Sequence, residues 1–286
     1  MTTKRSSAVG AGIALYIIGI FFFAVNDALA KWLVADYSVG QLLFLRSVGA
    51  LFVLLPWLGT AIRSIRAQGE WRLQILRVLF LTGDSFSFYF AAKAMPLADV
   101  ITFYLSAPLI VTMLAGSVLG EKVGLLRWSA VIAGFVGVVI AMQPTSAVFT
   151  PAALIALFGA SCFGLSIVTT RRMKAPHWLP LVVLQFAGTG LVGGVVGAGV
   201  WISPPAFELV LMFVTGIVAM GCFACITQAV ALAPASVVSP FQYTSIIWGV
   251  LLGYMVWGDI PTFAMLVGSI VIIISGLVVL LTPVRS

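Results

Sequence analysis

Long apolar stretches, each followed by only a short break, recur along the whole sequence and limit what it can fold into. Each stretch has about the 20 residues that an α-helix needs to cross the hydrocarbon core of a bilayer. Hydrophobic residues make up 62% of the 286 and charged residues only 8%, too few to cover a soluble globule. Strands of a membrane barrel would instead alternate polar and apolar positions. The pattern predicts an all-α integral membrane protein and excludes a soluble enzyme or a nucleic-acid-binding domain.

The apolar stretches predict ten transmembrane helices, with ends marked by proline, glycine or charge. Short connections leave no room for a sizeable soluble domain. The predicted spans are Gly10–Val34, Val39–Leu58, Leu73–Ala92, Asp99–Leu119, Leu125–Met142, Pro151–Thr170, Leu181–Ile202, Phe207–Leu232, Ser236–Trp257 and Thr262–Leu281.

Basic residues are concentrated in every second connection. Membrane proteins carry an excess of lysine and arginine in their cytoplasmic loops. If both termini are cytoplasmic, only Lys93 falls in an outside loop and Lys31 lies near an outer helix end, whereas the following residues are all inside: Lys4, Arg5, Arg63, Arg66, Arg72, Lys122, Arg127, Arg171, Arg172, Lys174 and Arg285. The bias predicts a multi-pass protein of the cell inner membrane with both termini in the cytoplasm.

The second half of the chain repeats short features of the first half in the same order. Because each half holds five predicted spans, an odd number, the second half must enter the membrane in the opposite orientation. The sequence therefore predicts two inverted five-helix repeats, residues 1–146 and 147–286, an arrangement typical of transporters with a substrate site near the midplane. Ala92–Val100 aligns with Ala229–Val237, Gly120-Glu121 with Gly258-Asp259, and Lys31 with Arg171.

A set of short motifs follows one another along the first half. They are Met95-Pro96-Leu97-Ala98-Asp99, Pro108-Leu109, Leu119-Gly120-Glu121, Arg127-Trp128, Gly134-Phe135-Val136-Gly137-Val138 and Gln143-Pro144. In this order they resemble the EamA repeat of the drug/metabolite transporter superfamily, most closely that of the YddG-type amino acid exporters. The resemblance implies a ten-helix bundle, alternating access, and export of amino acids or related metabolites. The second half departs from the pattern, since Asp259 replaces the glutamate and Pro240 has no counterpart at Phe103.

Three charged residues lie well inside the predicted spans, where a charge costs about 2.5 to 3.5 kcal/mol on insertion scales. Asp27 and Arg46 lie at similar depths in the first two spans, so we expect either an ion pair between adjacent helices or a charged wall of an outer vestibule. Asp84 lies near the middle of the third span. Its carboxyl group is either hydrogen-bonded within the bundle, or it is protonated, hydrated or paired with the solute.

Polar and aromatic residues complete the predicted site. The run Ser239–Ser245 is the most polar stretch inside any predicted span, and Pro240 frees a backbone carbonyl, which a membrane tolerates only against protein or a cavity. Ordinary packing is the alternative for each aromatic residue. The predicted cavity residues are Asn26, Asp84, Tyr89, Tyr104, Ser166, Ser239, Gln242 and Tyr243.

No metal or cofactor site is predicted. Cys222-x-x-Cys225 lies inside a span without a second ligand pair. Gly188-x-Gly190-x-x-Gly193 matches a dinucleotide fingerprint but has no preceding strand, so close helix packing is the better explanation of its glycines.

The sequence thus predicts an inner-membrane secondary transporter, not an enzyme, that exports small organic solutes by alternating access. Amino acids, either aromatic or otherwise neutral, are the expected solutes. Uptake or efflux of other metabolites or drugs is the alternative. A membrane enzyme is a more distant one, because the spans lack paired acids, a nucleophile with its base, or metal ligands. We expect the solute and the lipid bilayer as partners, no nucleic acid, and a monomer, with a dimer as the alternative.

Overall fold

The structure is a computed structural model, and it describes residues 2–94, 97–121, 123–142, 150–173, 177–252, 255 and 263–281. No strand occurs in this part of the chain, so the prediction of an all-α protein is confirmed. The helices are α1 (Thr2–Asp36), α2 (Val39–Leu54), α3 (Leu58–Gln68), α4 (Trp71–Ala94), α5 (Leu97–Tyr104), α6 (Ala107–Leu119), α7 (Leu125–Met142), α8 (Pro151–Arg172), α9 (Trp178–Gly197), α10 (Ala206–Leu232), α11 (Ala235–Val238), α12 (Ser245–Leu252) and α13 (Phe263–Leu281). Short 3-10 segments cover Leu55–Trp57, Ala198–Val200 and Ser239–Thr244.

Many of these helices have the length and composition of membrane spans. Within the described ranges, six stretches are long and apolar enough to cross a bilayer: Ala8–Asp27, Val39–Ala67, Trp71–Ala94, Pro151–Arg172, Trp178–Val200 and Ala206–Leu232. Shorter apolar helices cover Ala107–Leu119, Leu125–Gly137 and Leu266–Ser275. Such a set of apolar helices fits the predicted integral membrane protein.

The second predicted span is longer than the sequence suggested. Pro56 lies in the 3-10 segment Leu55–Trp57, and the chain then continues as α3 to Gln68. Gly69, with a φ of 66°, ends α3 in the left-handed conformation that favours glycine. Arg63 and Arg66, which the sequence assigned to a loop, therefore lie on a helix.

The fourth predicted span is broken into α5 and α6 between Tyr104 and Ala107. Pro108 has no N–H group, so it cannot donate the helical hydrogen bond to the carbonyl four residues earlier, which is that of Tyr104. The Ser106 hydroxyl donates to the Phe103 carbonyl at 2.6 Å. The break thus leaves the Tyr104 carbonyl in the protein interior for another partner.

The ninth predicted span is also irregular. It begins as the single turn α11, continues as the 3-10 segment Ser239–Thr244, and becomes α-helical again in α12. Here the Thr244 hydroxyl donates to the Phe241 carbonyl at 2.7 Å. Both broken spans therefore contain a hydroxyl group that bonds back to the carbonyl of a phenylalanine three residues earlier.

Four long helix pairs form the body of the bundle. α1 packs along α10, α4 along α8, α2 along α9, and α7 along α13. Glycines allow backbone contact between α2 and α9, since a Cβ at Gly40 would lie 2.6 Å from the Gly197 nitrogen. One at Gly193 would lie 2.8 Å from the Gly40 carbonyl oxygen, and one at Gly190 would lie 2.8 Å from Ser47 Cβ. The glycines of the dinucleotide-like pattern are therefore packing residues, as predicted.

Candidate solute-binding site

A cavity of about 250 Å³ opens between the C-terminal parts of α1 and α4, which we call the cavity end of the bundle. Of the lining residues on α1, Asp27 lies furthest from the end of the helix, whereas Lys93 lies in the last turn of α4. The rings of Phe88 and Tyr89 lie between these two levels. Lys93 Nζ also donates to the Tyr37 carbonyl at 2.9 Å, at the mouth of the cavity. The cavity is lined by Asp27, Ala30, Val34, Ala35, Phe88, Tyr89, Ala92 and Lys93. One cavity thus presents a carboxylate, an ammonium group and two aromatic rings.

The Tyr89 hydroxyl is the centre of a buried hydrogen-bond network. It accepts hydrogen bonds from Arg46 Nη1 at 2.6 Å and from Asn26 Nδ2 at 3.1 Å. The Arg46 guanidinium also lies 5.7 Å from the centre of the Tyr89 ring, a cation–π distance. Because both bonds use oxygen lone pairs, the phenolic proton of Tyr89 remains available as a donor. Predicted site residues on α1, α2 and α4 are therefore in direct contact.

The structure differs from the predicted ion pair between Asp27 and Arg46. No direct salt bridge joins these two side chains, both of which the structure describes. Arg46 binds the Tyr89 hydroxyl instead, and Asn26 Nδ2 lies 3.4 Å from Asp27 Oδ1. The intervening tyrosine takes the position that a direct partner would need. Asp27 lines the cavity, which corresponds to the alternative of a charged vestibule wall.

Asp84 is buried in α4, about 7 Å further from the cavity mouth than Tyr89 by helical rise. The Tyr104 hydroxyl donates to the backbone carbonyl of Asp84 at 3.0 Å and also interacts with the Asp84 carboxyl group. A Cβ at Gly159 of α8 would collide with that hydroxyl, so the glycine provides the space for the Tyr104 ring. Arg46 interacts electrostatically with both Asp84 and Asp27. Asp84 therefore belongs to the same charged group of residues as the cavity.

Gln242 connects the two broken spans. Its Nε2 donates to the freed Tyr104 carbonyl at 3.2 Å, which is the bond that Pro108 makes possible. Ser239, three residues earlier, is fully buried. Gln242 therefore lies on the side of the ninth span that faces the end of α5.

Tyr243 and Ser166 are not brought to the cavity. The Tyr243 hydroxyl donates to the Val131 carbonyl at 3.0 Å, and its ring packs with Leu105, Ile246 and Ile272. Ser166 donates to the Phe163 carbonyl of its own helix at 2.7 Å. In this structure Tyr243 therefore packs toward α7 and α13, and Ser166 bonds within α8.

Sequence reasoning missed Arg77, although a charge six residues inside α4 should have drawn attention. The side chain is 3% exposed and makes three hydrogen bonds to uncharged acceptors on three other helices. Nε donates to Thr170 Oγ1 at 2.7 Å, Nη1 to the Leu181 carbonyl at 3.1 Å, and Nη2 to Thr227 Oγ1 at 2.9 Å. Arg77 thus holds α4 against α8, α9 and α10.

Glu121 was read only as part of a motif, but it joins three helices at what we call the latch end of the bundle. Its carboxylate accepts from the Ala235 N–H at 3.0 Å, the Ser236 N–H at 3.1 Å and the Ser236 hydroxyl at 2.6 Å. Arg171, at the end of α8, lies 3.6 Å from the same carboxylate. The end of α6 is therefore fastened to the start of α11 and the end of α8.

The cavity end has different connections. The Tyr37 hydroxyl donates to Glu208, and Gln41 exchanges hydrogen bonds with the backbone of Ile202. The bond to Glu208 raises the pKa of the Tyr37 phenol to about 12, so the phenol stays a donor at neutral pH. These bonds join the end of the α1–α2 turn and the first turn of α2 to α10 and to the connection before it, and they leave the space between α1 and α4 open.

Comparisons with known proteins agree with this architecture. Residues 10–143 match the profile of the EamA-like transporter family. The S-adenosylmethionine uptake transporter of Rickettsia prowazekii is 23% identical over 96% of this chain and 94% of its own. Riboflavin transporters of Rhizobium johnstonii and Vibrio cholerae are 25% and 28% identical, over 95% and 87% of their lengths and 100% and 88% of this chain. A solved crystal structure shares the fold, with a TM-score of 0.78, 18% identity, and coverage of 96% of this chain and 98% of its own.

Together, the apolar helices, the cavity and these relatives define a multi-pass membrane transporter of small solutes. Within that class, residues 10–143 are similar to the EamA-like transporter family. Because these relatives are transporters, the prediction that the chain is not an enzyme is confirmed. The relatives described here are named for S-adenosylmethionine uptake and riboflavin rather than for YddG-type amino acid export, which stays a prediction.

Proposed function

We propose that this chain is an inner-membrane uptake transporter for a metabolite of the S-adenosylmethionine class, in which an amino acid group is joined to a cationic centre and a heteroaromatic ring. The observation that carries the proposal is the cavity, because its lining combines Asp27, Lys93 and the rings of Phe88 and Tyr89. The similarity to the Rickettsia prowazekii S-adenosylmethionine uptake transporter over 96% of this chain supports the same solute class.

Each group of such a solute has a chemical partner in the cavity. Asp27 would pair with the sulfonium or the ammonium group. Lys93 uses one N–H for the Tyr37 carbonyl and has further donors for the solute carboxylate. Phe88 offers a face on which the adenine ring would stack.

Riboflavin is the second candidate, because two relatives carry that name at similar identity. Its ring system would use the same aromatic residues, but an uncharged solute gives no role to Asp27 and Lys93. An aromatic amino acid, the solute predicted from the sequence, would use both charges and one ring. The charged lining therefore favours zwitterionic and cationic solutes over riboflavin.

Counterflow into liposomes that contain the purified protein tests the proposal. Labelled S-adenosylmethionine should exchange, and Asp27→Asn should lower the exchange rate by about tenfold, the loss of roughly 1.4 kcal/mol of binding. Asp36→Asn, which removes an exposed carboxylate that follows the lining residue Ala35 but does not itself line the cavity, is the matched control and should transport normally. Exchange of riboflavin or of aromatic amino acids without exchange of S-adenosylmethionine would reject the solute class in favour of the alternative that exchanges.

The proposed architecture is ten spans in two inverted repeats, residues 1–146 and 147–286. Exchanging the repeats would pair α1 with α8, α4 with α10, α2 with α9 and α7 with α13. Under this exchange the α1–α10 pair becomes the α8–α4 pair, and the helices of both pairs pack along each other. The α2–α9 pair and the α7–α13 pair each remain the same pair with the two helices exchanged. The hydroxyl groups of Ser106 and Thr244, each bonded to a phenylalanine carbonyl, lie in the irregular parts of two spans that this exchange would pair.

The transport cycle proposed is alternating access, with the cavity end outside and the latch end in the cytoplasm. The conformation described here is then open to the outside and closed by Glu121 at the inside. Single cysteines at Gln68 and Lys174 should react only with thiol reagents that reach the cytoplasm, and one at Ala147 only from outside. Labelling of the Gln68 cysteine from outside in intact cells would overturn this orientation.

A further inference from the structure

The irregular part of the ninth span carries a stripe of buried polar atoms. A 3-10 segment has three residues per turn, so Ser239, Gln242 and Ser245 lie on one face. Ser239 Oγ, Gln242 Oε1 and Ser245 Oγ find no hydrogen-bond partner among the residues that the structure describes. Trp248 Nε1, three residues further on, is also without one in that part of the chain.

The stripe lies inside the protein and not against lipid. Ser239 is fully buried, Gln242 is 6% exposed, and Ser245 and Trp248 are half-buried with their polar atoms covered. Gln242 Nε2 reaches the Tyr104 carbonyl of the broken fourth span, and the Trp248 ring lies 5.0 Å from that of Phe21 on α1. The stripe therefore runs between α1 and the fourth span, deeper in the bundle than the cavity and toward the latch end.

Packing alone does not account for the unpaired hydroxyls. Buried polar groups are nearly always hydrogen-bonded, and the apolar bilayer strengthens that requirement. A serine or threonine in a helix has a simple local solution, which Thr244 uses in the same segment by bonding to the Phe241 carbonyl. Ser239 and Ser245 do not use it. Their hydroxyls lie on the same face as Gln242 Oε1, and none of these three atoms has a partner in the described part of the chain.

We propose that Ser239, Gln242 and Ser245 form an inner solute-binding site, distinct from the cavity, that takes the neutral hydrogen-bonding part of the solute on its way to the latch end. The inference rests on the proposed function in that it extends the path of the same solute. The stripe has no charged side chain, so it suits hydroxyl and amino groups such as those of a ribose or a purine. The solute would enter it when the latch end opens and α1 and the fourth span move apart.

Two alanine substitutions test the site, because they should change stability and transport in opposite directions. In Ser239→Ala and Ser245→Ala, loss of an unpaired buried hydroxyl removes an unfavourable group, so the melting temperature should rise. Transport should fall by about fivefold for each, the effect of one lost hydrogen bond to the solute. A lower melting temperature, or an unchanged transport rate, would assign these serines to packing and overturn the proposal.

Ser275→Ala is the matched control. Ser275 is also a buried serine in a late span, but its hydroxyl donates to the Ala130 carbonyl. Its removal should lower the melting temperature and leave the transport rate unchanged. Comparison of Ser275→Ala with Ser239→Ala and Ser245→Ala therefore distinguishes a hydroxyl that stabilises the fold from one that binds the solute.

A second measurement is independent of the solute. A cysteine at Ser245, in a protein with Cys162, Cys222 and Cys225 replaced by alanine, should react slowly with a membrane-impermeant thiol reagent. It should react several-fold faster after Glu121→Ala, which opens the latch end. Equal rates would overturn the inner site even where S-adenosylmethionine is transported. Faster labelling without S-adenosylmethionine transport would retain the inner path and reject only the solute class.

Discussion

The latch end and the cavity end hold their helices together in different ways. At the latch end, one carboxylate, that of Glu121, binds both the start of α11 and the end of α8. At the cavity end, Tyr37 binds Glu208 of α10 and Gln41 binds the connection between α9 and α10, and the space between α1 and α4 stays open. Glu121 therefore fastens the fourth and ninth spans to each other at the latch end, and this group of bonds controls whether they separate there.

The largest effect is expected from Glu121→Ala, which would abolish this difference between the ends. Three hydrogen bonds to a charged acceptor and one ion pair would be lost. Because water can replace part of them at the membrane surface, we expect a loss of roughly 2 to 3 kcal/mol in stability. Thermal melting of the purified protein measures the loss, and thiol labelling of a cysteine at Ser245 measures the opening.

Two controls accompany this substitution. Glu121→Gln keeps the size and one acceptor but loses the charge, so its melting temperature should lie between those of Glu121→Ala and the wild type. Arg172→Ala removes an exposed charge next to Arg171 and should leave the melting temperature unchanged. Equal melting of Glu121→Ala and the wild type would mean that other contacts close the latch end.

Asp84→Asn should have the next largest effect, and it acts between the two ends. The amide keeps the size and most of the hydrogen bonding of the carboxyl group but cannot carry a negative charge. Because Asp84 lies in the same electrostatic group as Asp27 and Arg46, we expect transport to fall by about tenfold. Expression level and elution as a single species should stay near those of the wild type. A wild-type transport rate would leave this carboxyl group with a packing role alone.

Tyr89→Phe should have the smallest effect, confined to the cavity end. It keeps the ring and removes the hydroxyl that accepts from Arg46 and Asn26. One charged donor would lose its partner, so we expect KM to rise by about threefold to tenfold and stability to fall by about 1 to 2 kcal/mol.

Tyr37→Phe is the control for this change, because it also removes a phenol bonded to a charged group but lies outside the cavity lining. It should lower the melting temperature without changing KM. If KM rose equally in both variants, Tyr89 would act through the stability of the cavity end and not through contact with the solute.

The sequence was sufficient to predict an all-α membrane protein. A continuous apolar run gives the length of a span, and counting along it gives the level of Asp27, Arg46 and Asp84. The direction of each side chain around its helix depends on neighbours from distant parts of the chain. For this reason Arg46 donates to the Tyr89 hydroxyl instead of forming the expected ion pair with Asp27.

Irregular backbone was the second source of difference. Pro108 is apparent in the sequence, but its effect is to leave the Tyr104 carbonyl without a helical hydrogen bond. The partner of that carbonyl, Gln242, lies in the other half of the chain. Tyr243 follows Gln242 directly and yet its side chain faces α7. Counting 3.6 residues per turn through a 3-10 segment does not predict the direction of that side chain. Arg77 has hydrogen-bond partners on three other helices, which no local pattern reveals.

The 3-10 segment Ser239–Thr244 also makes the ninth span longer than an α-helix with the same number of residues. Its six residues rise about 2.0 Å each instead of about 1.5 Å, a difference of about 3 Å. Conversion of this segment to α-helical geometry would therefore draw α11 and α12 together by about 3 Å. The same conversion would unwind the span by about 20° per residue, so that α12 would turn by about one-third of a revolution relative to α11. A change in backbone geometry over six residues thus couples a screw displacement of one half-helix to the direction in which the polar stripe faces.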